Sequence, residues 1–339
     1  MSSFIKRLTR TKAFSLACIT VVIFIFFTAM NPNFLAIENL NGIMNACSLS
    51  GTVAIGMACL MMSGSMDLSA GSCAAFGGVI VALLLRAGVA WPLALLLTIV
   101  AGACMGLLNA FWVNVLGIMP FISTIAMGSV FSAMAQVVTK SQDIAIADKG
   151  FMMLGTGHLW VFPMPFVIMV VLMIIYGLML SNTKFGRQLI LCGGNRTAAR
   201  LAGINHKKIT TIMFINCGAI AALAGAILAA RMYSGAPRAA SGAEMSALTA
   251  VIIGGVSFLG GGSSGMGTIL VALILVNSFN NGLQTIELSS FWQYVTQGGL
   301  LIVALIVDYI SENRRQKALK AASEKAALNA GKTGSGATA

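Results

Sequence analysis

Few residues in this sequence are equipped to make or break bonds. Its 339 residues include two histidines, His158 and His206, and nine acids. No two acids are spaced to set both carboxylates on one face of a helix within an apolar run. HExxH, GxSxG and acid-dyad patterns are missing, so no catalytic site and no metal site are expected. Gly331-Lys332-Thr333 invites a phosphate-loop reading. That loop needs a glycine five residues earlier, where Ala326 stands. No cofactor is therefore expected in the chain itself. The seven cysteines show no CxxC spacing and lie mostly in apolar runs. That pattern reads as small apolar packing, not as a disulfide or zinc framework.

What the sequence does offer is hydrogen-bonding chemistry inside apolar surroundings. Asp67 lies in MSGSMDLSAGS (62–72), which interrupts two apolar stretches. A charge at the bilayer centre costs about 2.5–3.5 kcal/mol on insertion scales, so such residues face a cavity or a partner. Asp67 either caps the helix that begins after it, accepting from first-turn N–H groups, or touches a solute together with Ser69. Asn45, Asn109, Asn114, Gln136, Asn216, Asn277, Asn280, Asn281, Gln293 and Gln297 also sit in or beside apolar runs. Side-chain amides donate and accept, which suits sugar hydroxyls. The alternative is hydrogen bonding between helices, under about 1 kcal/mol each. Asp67, Ser69, Asn109, Asn277 and Asn281 are the candidates for lining a polar path.

The elements that must hold these residues follow from composition. The chain is 58% apolar and 9% charged, with a mean hydropathy of +0.91. That excludes an ordinary soluble enzyme and a disordered chain. An all-α polytopic membrane protein is expected, with about ten transmembrane helices over 13–30, 40–62, 68–86, 91–116, 119–139, 159–181, 209–230, 247–260, 266–283 and 292–310. The net charge of +12 reads as topology and not as affinity for nucleic acid, because the basic residues are segregated. They gather before the first apolar run, between Lys184 and Lys208, and beyond Arg314. By the positive-inside rule these three segments are cytoplasmic, both termini included. Six crossings and then four more agree with that assignment.

Ala13–Met30 follows a basic leader but lacks a convincing small-x-small cleavage site, so it reads as a retained span. The expected organisation is a basic N-terminus (1–12), a transmembrane domain (13–310) with a cytoplasmic loop (182–208), and a polar tail (311–339). GGGSSGMG (260–267) breaks the pattern a second time, after an apolar run short for a full span. Paired Gly-interrupted segments point to a transport pathway, the alternative being two tight loops at the membrane surface.

The loop TKFGRQLILCGGNRTAARLAGINHKKI (183–209) is the longest polar gap. Asn195 can cap a short helix, and Gly203 can close it in the left-handed region. A short cationic helix outside the bilayer suggests docking into another protein. Here FGRxxxxxGGNxxAARLAGI, with SMDLSAG upstream, resembles the permease subunits of bacterial sugar ATP-binding-cassette (ABC) importers. These include the ribose, arabinose, xylose and galactose systems, with autoinducer-2 permeases related. The DLS motif follows Gly64-Ser65-Met66 here, where that family usually has Gly-Gly-Ile. The resemblance covers about residues 20–310. It implies a multi-pass protein of the bacterial inner membrane that carries a pentose-like monosaccharide. It further implies a separate ABC ATPase subunit that binds ATP and Mg, a periplasmic sugar-binding protein, and a second permease copy or paralogue. It places ATPase coupling on Gly194, Asn195, Ala198, Ala199, Arg200, Leu201 and Gly203.

Arg231 and Arg238 flank YSGAP in an expected outer loop and are candidates to meet acidic lobes of the binding protein. Two rivals remain. One is a branched-chain amino acid permease of the same superfamily, whose charged substrate would need charges these spans scarcely offer. The other is a stand-alone secondary carrier, for which only Asp67 and Asp308 are candidate ion or proton sites.

Overall fold

Lipid offers the backbone no hydrogen-bond partner, so apolar runs of this length close their bonds internally as helices. The computed structural model describes residues 12–258, 265–289, 291–292, 295–310 and 313. In chain order these form α1 (Lys12–Met30), α2 (Ile37–Met62), α3 (Ala70–Arg86), α4 (Trp91–Ala110), α5 (Pro120–Thr139), α6 (Lys149–Thr156), α7 (Met164–Asn182), α8 (Lys184–Gly194), α9 (Arg196–Leu201), α10 (His206–Met232), α11 (Ala243–Ile253), α12 (Met266–Thr285) and α13 (Val295–Ile310). A π turn over Phe111–Val115 extends α4. Prolines in the first turns of α4, α5 and α7 start helices where a missing N–H costs nothing.

Among the described residues seven helices (α1, α2, α4, α5, α7, α10 and α12) are long and apolar enough to cross a membrane, while α3, α11 and α13 are apolar but shorter. The protein is thus an all-α polytopic membrane protein. The short elements are informative. At about 1.5 Å per residue the 11 residues of α11 span about half of a 30 Å hydrocarbon core.

α10 runs through the middle, packed on α2, α3 and α4. Small residues permit this. A Cβ built at Gly225 of α10 would lie 1.7 Å from the Ala74 carbonyl oxygen of α3, and one at Gly218 would lie 2.2 Å from that of Gly102 in α4. Close backbone approach of this kind replaces the hydrophobic effect as the source of helix association in lipid. α2 and α10 are largely buried, whereas α1 and α7 carry exposed apolar faces.

The two ends of the bundle differ. At one end β1 (Ile144–Ala145) pairs antiparallel with β4 (Ser234–Gly235), with Ile144 opposite Gly235. Beside them lie α6 and a tight hairpin of β2 (His158–Leu159) and β3 (Phe162–Pro163). The hydropathy pattern gave no sign of these caps. At the other end lie α8 and α9. Residues 1–11, most of the second Gly-rich break (260–264) and the polar tail apart from residue 313 fall outside the described residues.

Candidate functional site

The first break is a turn built around one carboxylate. α2 ends at Met62, and Gly64 follows with φ +86°, a left-handed conformation that a glycine adopts without strain. Asp67 is fully buried. Its Oδ1 accepts from the Ser69 backbone N–H at 2.8 Å and from the Ser69 hydroxyl at 2.6 Å. Asn109 of α4 donates through Nδ2 to Asp67 Oδ2 at 3.1 Å and to Ser69 Oγ at 2.7 Å. Thr124 of α5 accepts from Leu68 N–H at 3.1 Å. Three of the sequence candidates, Asp67, Ser69 and Asn109, therefore meet in one closed knot. It joins the start of α3 to α4, and Leu68 adds α5. Asp67 acts two residues along the chain, at Ser69, one step before α3 begins.

A similar device lies just before the second break. Asp308 of α13 accepts through Oδ2 from the Ser257 hydroxyl at 3.1 Å and the Phe258 N–H at 3.0 Å. A cavity of about 460 Å³ is lined by Gly64, Ser65 and Met66 from the first break, Phe258 from the segment before the second, Met119–Phe121 and Arg196.

Arg196 brings in the loop. Its Nη2 donates to the Gly64 carbonyl at 2.9 Å, tying α9 to the first break. Thr183 caps α8 by accepting from Gly186 N–H at 3.0 Å, and Asn195 caps α9 by accepting from Ala198 N–H at 2.9 Å. α9 then stops at Gly203, φ +74°. There Gly203 N–H reaches Arg200 O and Ile204 N–H reaches Ala199 O, each at 3.0 Å, as expected of a left-handed helix stop. Ala199 faces inward at 1% exposure, and Leu201 stands out at 85%. Gly194 and Gly203 have open space around them. Arg200 is exposed. Burial pushes the Cys192 thiol beneath this surface up from its ordinary value, with Arg196 pulling the other way. The small capped helix thus presents an exposed leucine and is hydrogen-bonded to the first break. Sequence reasoning missed Arg196. It was visible as one of the loop's basic residues, but nothing in spacing reveals a partner 132 residues away.

The remaining candidates lie towards the other end. Asn277 is buried and donates to Ser50 Oγ at 3.0 Å and Leu273 O at 2.9 Å. Asn281 accepts from Asn39 Nδ2 at 2.9 Å, stitching α12 to α2. Arg238 is exposed and donates through Nε and Nη2 to Gln136 Oε1, at 3.2 and 2.8 Å. Arg231 is half-buried and lines a second cavity, with Asn45, Ser50, Asn277 and Gln297 among its neighbours. Among the described residues no group of three or more His, Cys, Asp or Glu could hold a metal ion.

Comparison with known proteins agrees with the loop's likeness. The family described as "Branched-chain amino acid transport system / permease component" matches residues 39–305. The ribose import permease protein of Bacillus subtilis is 33% identical over 289 residues, 85% of this chain and 89% of that protein. The L-arabinose transport system permease protein of Escherichia coli is 32% identical over 303 residues, 89% of this chain and 92% of that one. The ribose import permease protein of E. coli is 34% identical over 299 residues, 87% and 92% of the two chains. No solved structure matches. Over nearly its whole described length this multi-pass inner-membrane chain belongs to the ABC importer permease family, alongside its sugar-transporting members.

Proposed function

We propose that this chain is the membrane-spanning subunit of an importer that moves a pentose-like monosaccharide delivered by a periplasmic binding protein. A separate ATPase, holding ATP and Mg, drives it through the α8–α9 segment, and two permeases, identical or paralogous, form the pore. The observation that carries this reading is the Arg196–Gly64 bond. It connects a small, capped, outward-facing helix to a break in the membrane-spanning bundle, in a chain whose named relatives are ribose and arabinose permeases.

In this reading α8 and α9 lie in the cytoplasm and the two small sheets face the periplasm. α3, α11 and α13 complete ten membrane segments, and both termini are cytoplasmic, which agrees with the basic residues. Gly194, Asn195, Ala198, Arg200, Leu201 and Gly203 form the ATPase-docking surface, while Ala199, expected on it, is buried and packs α9 against the protein. Arg238, exposed on the periplasmic side, meets the binding protein. The family description names branched-chain amino acids, but the relatives named for ribose and arabinose favour sugars. The two acids that a stand-alone carrier was expected to use, Asp67 and Asp308, both accept hydrogen bonds from the protein, while Glu244 at the start of α11 keeps one buried oxygen unpartnered. The named relatives, import and transport-system permeases, weigh against the carrier reading.

The test is a mild-detergent pull-down from native membrane with mass spectrometry, comparing wild type with the Arg200→Glu, Gly203→Asp double variant. An ATPase that co-purifies with wild type and is lost from the variant is the expected result. If no ATPase co-purifies and the chain alone carries solute into liposomes, the secondary carrier replaces this reading.

A further inference from the structure

The second cavity, about 260 Å³ in volume, lies between α2, the end of α10, the start of α11, α12 and α13. Bulk water occupies about 30 Å³ per molecule, so the space equals about nine waters, enough for one small sugar. It reaches deep, since Ser50 stands halfway along the 26 residues of α2. Its polar wall is Asn45, Ser50, Arg231, Ser246, Asn277 and Gln297.

The hydrogen bonds of that wall are unevenly filled. Asn277 Nδ2 donates to Ser50 Oγ at 3.0 Å, and Gln297 Nε2 donates to Ser246 Oγ at 2.7 Å and Gly242 O at 3.2 Å. Both amides thus fix their donors to the protein, while no bond is recorded to Asn277 Oδ1 or Gln297 Oε1 among the described residues. Asn45 Oδ1 is buried with no partner. Arg231 lines the cavity and makes no hydrogen bond or ion pair among the described residues, so its guanidinium keeps donors to offer. The lining therefore supplies both carbonyl acceptors and a cationic donor. A hydroxyl both donates and accepts, so a polyol satisfies both at once. Glu244, in the first turn of α11, carries a buried oxygen with no partner, but that oxygen lies against Gly71 of α3 and is not among the groups lining the cavity.

We propose that this cavity is a binding station for one neutral, pentose-sized sugar on its way through the permease, held by Arg231 as donor and by the Asn45, Asn277 and Gln297 oxygens as acceptors. This rests on the sugar-import reading but is tested without the ATPase.

Ala46 lines the cavity and is exposed, so Ala46→Cys can report occupancy without removing a polar group. The purified full chain in nanodiscs is labelled with a maleimide, and modification at position 46 is read by peptide mass spectrometry, apart from the native cysteines. At about twice a millimolar Kd, about a third of sites stay free, so D-ribose or L-arabinose should slow labelling about threefold. Arg231→Ala in the same background should abolish that protection, with labelling of the sugar-free protein unchanged. Equal rates with and without both pentoses overturn the proposal, as does protection that survives Arg231→Ala. Protection by galacturonate but by neither pentose overturns the neutral-sugar assignment. A permease that co-purifies with no ATPase but shows Arg231-dependent pentose protection would refute the importer reading and leave the binding station standing.

Discussion

The guanidinium of Arg196 donates to the Gly64 carbonyl at 2.9 Å. Gly64 is the left-handed pivot of the first break, and Arg196 is the first residue of α9. The bond ties α9 to the turn between two apolar helices, beside the cavity that Phe258 also lines. A Cβ at Gly64 would also lie 3.4 Å from the Gly193 Cα, so the turn touches the end of α8 as well.

We expect Arg196→Ala to impair coupling without dissolving the complex. Hydrogen bonds to charged groups contribute about 1.5–3 kcal/mol. This one is exposed to competing water, so about 1 kcal/mol, or roughly fivefold in uptake rate, is the expected loss. ATPase retention in a pull-down should be unchanged. Loss of the ATPase from this variant would mean that Arg196 belongs to the docking surface and not to the transmission path.

Asn195→Ala should act differently. The Asn195 side chain caps α9, and loss of such a cap costs about 1 kcal/mol. A helix of six residues has no stability of its own to absorb that. Faster amide exchange over 196–201 and weaker ATPase retention are expected, with Asn195→Ser restoring both. Unchanged exchange would show that packing of Ala199 alone holds the helix.

Much of this could be read from residue types. Hydropathy locates every long helix because lipid imposes the helical solution, and Asn195 and Gly203 announce the ends of α9 because capping and left-handed stops are local chemistry. The knot of Asp67, Ser69 and Asn109 was legible only as three separate candidates, since the contact joins residues 42 apart. Arg196, the pairing of Asp308 with Ser257 and Phe258, and the place of Arg231 in a cavity lining depend on where helices cross. Small residues decide that crossing through backbone approach and leave no periodic signature. β1 and β4 pair across several helices, and all four strands are two residues long, too short for alternation to show.

Packing at Gly225 provides a direct check of those crossings. Gly225→Val would drive side-chain atoms into the Ala74 backbone, 1.7 Å from the first of them. Overpacking costs about 1–3 kcal/mol where neighbours can yield, and a helix backbone yields little. Folded protein recovered by size exclusion should fall sharply. Gly88→Ala is the contrasting case. With φ +81° and nothing within 4 Å, it faces only backbone strain of about 1–2 kcal/mol and should remain folded. Normal recovery of Gly225→Val would refute the α3–α10 contact.

The knot at Asp67 separates a structural joint from a relay. In a joint, the carboxylate matters because it accepts from the Ser69 N–H and hydroxyl and from Asn109 in a buried setting. Removing it strands buried donors at about 1–3 kcal/mol each. Asp67→Ala and Asn109→Ala should then both lower the melting temperature of the purified permease. The double variant should lose less than the sum, with a coupling of about 0.5–3 kcal/mol. Uptake should fall in step with stability and keep its dependence on external pH. A relay predicts the opposite division. Asp67→Asn, which keeps the shape and one acceptor oxygen, would abolish uptake while the melting temperature stayed near wild type, and Asn109→Ala would show no coupling to it. Because Asp67 is sealed at 0% exposure and both its oxygens accept hydrogen bonds from the protein, coupled loss of stability is the expected result.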